Sequence, residues 1–458
     1  MILRDGLLAL PGAADFRRSC LRVRGERITE IAESVESAPG EETIDASGLL
    51  VFPGAIDPHV HFDEPGFTSR EDFLHGSAEA ARGGVTTVID MPCTSLPPVI
   101  DLGAFENKLN AISKSALVDF ALYGGVSGHR VEESLDGAMA ELAPKVVGFK
   151  CYFISGMESF TRVTHEDFAR VVAEGQRLGR PILLHAEDLD YVTAATARVK
   201  AARSSAAERG SAISEWDDYY NSRPEAAELA AVAAALALAR GREASLHIVH
   251  VGTAAAAWLV HRAGASCETC AHYLAFGHED FAEKGAALKT APVVKGRAER
   301  EKLWRLLADG TIDFLASDHA PSSREEKQTG DVWTAYGGIP GVGTLFPYLY
   351  SEGLVRGRLT LARFLEATSG AAARRYGLSA RKGALAVGHD ADFVLVDPAG
   401  TTKVEGERLL SKGKITPFEG MVLAGSVAAT YVRGRPVFDG KGIVAEPGYG
   451  RFLSWGYA

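Results

Sequence analysis

About eight apolar, strand-like runs alternate with helix-period segments through the middle of the chain, and this predicts an α/β fold, a (β/α)8 TIM-type barrel. The two ends are written differently, in short alternating strands and glycine turns, and predict a smaller β-sandwich domain built from both chain termini. A third observation places the chemistry: histidine, lysine and aspartate recur near the ends of the middle runs, the rim where a barrel carries its active site. The division expected is 1–52 for the first part of the sandwich, 53–382 for the barrel and 383–458 for the second part.

In chain order, Leu21-Arg22-Val23-Arg24 and Ile28-Thr29-Glu30-Ile31 flank Gly25-Glu26-Arg27 and read as an antiparallel unit. The barrel runs fall at 52–62, 85–91, 118–126, 146–153, 181–187, 245–252, 266–274 and 312–321. Helical periodicity is expected at 70–82, 165–178, 226–240, 254–263 and 298–307, and 194–210 reads as a helix with a mobile end. From 391 onward the strand-and-turn style returns. A doubly wound open sheet would need a glycine-rich phosphate turn after its first strand, and none is present. The glycines at 338, 341 and 343 follow no clear strand and suit a substrate-side loop.

Composition excludes several classes of function. Over 458 residues, 46% hydrophobic and 24% charged is ordinary for a soluble enzyme. A net charge of -10 without a Lys/Arg cluster argues against a nucleic-acid partner. Five cysteines (Cys20, Cys93, Cys151, Cys267, Cys270) are an odd count with no disulfide pattern, and the first residues lack a signal-peptide pattern, so a cytoplasmic setting is expected. The most apolar window, 226–240, is shorter than the roughly 20 residues a membrane span needs, so no membrane partner is expected.

His59 and His61, two apart in D-P-H-V-H-F, point to one face of a strand. His185 in L-L-H-A-E, His250 in H-I-V-H-V and Asp318 in L-A-S-D-H-A-P add zinc-type ligands at later strand ends. Lys150 in V-G-F-K completes the set. An ammonium among cations would be repelled, so this lysine must be neutral, and a neutral amine can add carbon dioxide to give a carbamate that bridges two metals. His247 should lie on the opposite strand face from His250 as a packed or hydrogen-bonded residue. Cys267-Glu-Thr-Cys270 lacks a second CxxC and does not read as a structural zinc site. His272 and His319 suit either orienting or purely structural roles.

These motifs, together with G-G-V-T-T-V-I-D-M-P, S-R-P-E-A-A-E, C-E-T-C-A-H-Y-L and D-V-W-T-A-Y-G-G-I, resemble the cyclic amidohydrolases: allantoinases, hydantoinases and dihydroorotases. The resemblance implies two divalent metals, such as Zn2+, bridged by a carboxylated lysine, and hydrolysis of a cyclic amide. It further implies His59, His61 and Asp318 around one metal, His185 and His250 around the other, and Lys150 between them. A homotetramer or dimer is implied as well. Asp318 is the expected catalytic residue, passing a proton from water to the leaving nitrogen.

Within the family, dihydroorotases typically carry Arg, Asn and Asn where this chain has Asp63, Cys93 and Ala291. The contacts expected for a substrate carboxylate are gone, and Asp63 would repel an anion. An uncharged five-membered ureide ring is therefore expected, most simply allantoin in purine degradation, with a hydantoinase or dihydropyrimidinase-type activity as the alternative. Substrate contacts are expected from Asp63, Cys93, Thr290, Gly337 and Gly338. A non-enzymatic assembly homologue would have lost metal ligands, and all six are present here.

Overall fold

The computed structural model describes residues 1–208 and 215–458. Of the stretch 194–210, residues through Glu208 belong to the helix Leu189–Glu208, and the end at 209–210 lies outside the described residues. Two expected helices appear with the bounds read from the sequence, His165–Leu178 and Ala254–Ala263. Their ends are chemically marked. Thr164 with Asp167 forms a capping box and Thr253 caps the second helix, while Gly179 and Gly264 close them at φ 64° and 80°.

Parallel strands Ala55–Val60, Val85–Asp90 and Asp119–Leu122 form one sheet. Gly124–Gly125, Phe149–Tyr152, Ile182–His185, Leu246–Ile248, Ser266–Cys270 and Phe314–Ala316 form a second, in sequential order. The sheets meet at both edges. On one side the Val147 N–H, just before Phe149–Tyr152, donates to Leu122 O at 3.1 Å. On the other the His61 N–H donates to His319 O at 2.7 Å and the His319 N–H to His59 O at 3.3 Å. Every residue of Ala55–Val60 and Val85–Asp90 is buried, as parallel strands covered on both faces must be. The run 266–274 is strand only to Cys270 and then turns into the helix Ala271–Ala275, a change that a continuous apolar run does not signal.

The two chain ends pair in one eight-stranded sheet. Phe393–Lys403 lies antiparallel to Leu50–Pro53, with Phe393 opposite Pro53 and Val396 opposite Leu50. The last residues also return to the parallel strands: the Phe120 N–H donates to Arg451 O at 2.9 Å and the Leu453 N–H to Phe120 O at 2.7 Å. Among the described residues no helix is long and apolar enough to cross a membrane.

Candidate metal centre and substrate cavity

At the end of the first parallel strand, alternation sends the rings of His59 and His61 to one place, with centroids 5.4 Å apart. Asp318, two residues beyond Phe314–Ala316, meets both, its Oδ1 3.2 Å from His59 Nε2 and 3.5 Å from His61 Nε2. These three side chains converge closely enough to hold a metal ion. Lys150, fully buried on its strand, has no hydrogen-bond partner for Nζ. Burial holds its amine below the ordinary lysine range, against the pull of Cys93, Asp318 and Glu268. Burial thus shifts the group toward the neutral amine that carbamate formation requires. His185 ends its strand, and its Nδ1 lies 3.0 Å from His250 Nε2. All six predicted ligand side chains thus face one region, and a buried amine without a partner among imidazoles and a carboxylate fits a metal centre.

Three of the four rings are held by their other nitrogen, whereas Nδ1 of His250 is buried without a partner. His59 Nδ1 lies 2.6 Å from Glu268 Oε1, His61 Nδ1 3.2 Å from Thr94 Oγ1, and His185 Nε2 3.0 Å from Glu187 Oε2. A neutral imidazole that gives its N–H to an acceptor keeps the opposite lone pair for a metal. Burial alone would push the Asp318 carboxyl up, but His59, His61 and His250 hold it well below its usual 3.8, so it is ionised.

Three of the non-glycine residues with positive φ stand here: Asp63 at 58°, His250 at 40° and Asp318 at 50°. Such backbone costs on the order of 1–3 kcal/mol per residue and persists where the surroundings over-determine it. It also corrects the face argument for His247 and His250. The strand ends at Ile248, so alternation does not reach His250. His247 is packed as expected, its Nδ1 2.8 Å from Ser266 Oγ and its Nε2 3.3 Å from Glu268 Oε2. His319 is structural: its Nε2 lies 3.1 Å from Glu71 and its Nδ1 accepts from the N–H groups of Gly341 and Val342. His272 is fully buried, and burial lowers it to about 4. Cys267 and Cys270 are buried free thiols.

A cavity of about 230 Å³ opens over these residues, walled by Tyr152, Met157, Arg223, Ala291 and Tyr336 among others. Of the predicted substrate contacts, Cys93 and Gly337 line it, whereas Asp63, Thr290 and Gly338 do not. Cys93 Sγ lies 3.0 Å from the Tyr152 hydroxyl, and the Tyr152 ring stacks on His185 at 5.1 Å. Burial lifts the Asp63 carboxyl to about 7, against the nearby His61. At the rim Arg70 pairs with Glu326 at 2.6 Å and covers the Tyr336 ring, tying two loops together.

Residues 50–437 match the model of the amidohydrolase family. The chain belongs to that family. This amidohydrolase is 41% identical to an allantoinase of Rubrobacter xylanophilus over 92% of its own length and 93% of the relative's. It is 35% identical to a dihydroorotase of Halobacterium salinarum over 98% of both chains. Among solved structures it superposes on the L-hydantoinase (dihydropyrimidinase) of Arthrobacter aurescens with a TM-score of 0.92, at 31% identity and 99% coverage of each chain. The fold is therefore the TIM-barrel type of that enzyme.

Sequence reasoning missed Glu268, Glu187 and Arg223. The first was visible only as filler inside C-E-T-C. Its signal was a carboxylate in the middle of an apolar strand, a residue that must have a partner if the strand is buried.

Proposed function

We propose that this amidohydrolase opens an uncharged cyclic ureide by hydrolysis of a ring C–N bond, with allantoin as substrate and allantoate as product. The convergence of His59, His61 and Asp318 beside the buried, unpartnered amine of Lys150 carries this reading. In it, His59, His61 and Asp318 would hold one divalent metal and His185 and His250 a second, with Lys150, as its carbamate, a ligand to both. Zinc held there would supply Lewis acidity toward the ring carbonyl and a water acidic near neutrality.

The chain's own residues do the rest. Asp318, ionised in this site, takes the proton of the attacking water and gives it to the leaving nitrogen. Tyr152 and Tyr336 wall the ring, and Gly337, with Thr290 and Gly338 behind it, shapes the loop that it meets. Arg223 is a cation on the wall whose charge is already balanced by Glu187, which weakens it as a partner for the carboxylate of dihydroorotate. The relatives named allantoinase support the substrate, and the likeness to the Arthrobacter L-hydantoinase favours 5-substituted hydantoins as the second reading. We further read 53–382 as a closed eight-stranded barrel and 1–52 with 383–458 as its β-sandwich, in a cytoplasmic homotetramer or dimer.

Turnover of allantoin, hydantoin, 5-substituted hydantoins, dihydrouracil and dihydroorotate, with zinc and bicarbonate supplied, tests the substrate. Preference for allantoin is expected, and dihydroorotate turnover would overturn the carboxylate argument. Asp318→Asn should nearly abolish turnover while substrate still binds. Activity retained within about tenfold, roughly 1.4 kcal/mol of barrier, would remove Asp318 from this role.

A further inference from the structure

Two carboxylates stand behind the histidines, and they are braced differently. Glu268, behind His59, is backed by His247, and both Glu268 and His247 are fully buried and stand outside the cavity lining. Glu187, behind His185, is backed by Arg223, which lines the cavity. Glu187 itself is 1% exposed. Its Oε2 lies 3.0 Å from His185 Nε2 and accepts from Arg223 Nη1 as well. Arg223 is fixed in turn, because Lys295 Nζ donates to its backbone carbonyl at 2.7 Å. On the far side of the His185 ring, Nδ1 faces His250 Nε2 at 3.0 Å.

We propose that Glu187, braced by Arg223, is a positioning residue that fixes the His185 ring with its proton on Nε2 and its Nδ1 lone pair toward His250. The proposal rests on the two-metal reading above. The proton can sit on only one ring nitrogen of a neutral imidazole, so the acceptor at Nε2 decides which nitrogen is free. Arg223 has two effects on that acceptor. It compensates a buried charge that would be costly alone, and it keeps the carboxylate turned to the ring, where an unbraced one would be free to ligate a cation itself. The pair therefore joins the substrate wall to the second metal position, whereas the Glu268 brace has no contact with the cavity.

The test is zinc binding to the metal-stripped full chain with bicarbonate present, by competition with a chromophoric chelator, alongside thermal melts. Wild type is expected to take two zinc ions. Glu187→Ala should weaken one of them by about 10–100-fold and leave the other within about threefold. Glu187→Gln, whose amide oxygen still accepts from Nε2, should recover most of the loss. Arg223→Ala should fall in the same direction and Arg223→Lys should recover part. Should Glu187→Ala fail to fold, the Gln variant and the two Arg223 variants carry the same comparison. Two zinc ions bound with wild-type affinity by folded Glu187→Ala, or by Arg223→Ala when the first variant does not fold, would overturn the proposal alone. A wild type that binds no divalent metal would overturn the two-metal reading and this inference with it.

Discussion

Nζ of Lys382 lies 2.5 Å from Oδ2 of Asp119, a residue 263 positions earlier, with both side chains closed to solvent. The same ammonium is 2.7 Å from Asp392 and 2.9 Å from Asp390. These three aspartates converge closely enough to chelate a cation, and the lysine already supplies the charge they would seek. Asp119 opens a parallel strand, while Asp390 and Asp392 lead into the terminal strand Phe393–Lys403. The cluster therefore pins the terminal sheet to the parallel one. Lys382→Met removes the cation that the three carboxylates share, while Arg433 still pairs with Asp119 and Arg381 with Asp390, and should cost about 1–3 kcal/mol in chemical denaturation. A loss below about 1 kcal/mol would show that the cluster is not what holds the two sheets together.

Glu268 is expected to matter through His59. Freed of the 2.6 Å contact to Nδ1, the ring can turn or change tautomer. Glu268→Ala should lower zinc affinity about 10–100-fold, with activity partly restored by excess zinc. Zinc content after chelator dialysis measures it, and wild-type retention would count against the role.

Lys327 should control substrate binding without touching substrate. Buried, it donates to the carbonyls of Lys289 at 3.0 Å, Tyr336 at 3.0 Å and Gly338 at 2.5 Å, and so clamps the loops beside the cavity. Lys327→Met takes this donor from the Tyr336 and Gly338 carbonyls, while Lys289 O keeps the Gly338 N–H at 3.0 Å, and should raise KM severalfold with zinc content unchanged. A variant whose KM is wild-type would place the clamp outside substrate binding.

Glu228 gives a pH signature in stability. Burial raises its carboxyl from the usual 4.5 to about 7, against Lys295 and the Gly252 N–H that it accepts at 2.8 Å. Between those values the folded protein keeps a proton that the unfolded chain has released, so stability falls as pH rises through the window. Glu228→Gln removes the titration. In urea melts at about pH 5 and about pH 8, wild type should lose more stability on going to the higher pH than the variant does. Equal losses would show that Glu228 does not carry the effect.

How much was legible in the sequence depends on whether a feature is local. Thr164, Asp167 and Gly179 mark a helix with groups that act within one turn, so its bounds could be read directly. The six ligand-type side chains were legible too, because each stands at the end of an apolar run and the fold brings such ends to one rim. Glu268, Glu187 and Arg223 were not, since a brace is defined by what it touches 209, 2 or 36 residues away, and periodicity carries no such information. Nor could alternation place His250, because it lies past the strand end at positive φ.

The sequence by itself determined the parallel-strand α/β order, the strand-rich ends and the residue types available for metal chemistry, all of which follow from local pattern. Only the tertiary structure decided which nitrogen of His59, His61 and His185 is held by a partner. That depends on what the fold sets against the ring, and for His59 the partner is Glu268, delivered by a distant strand.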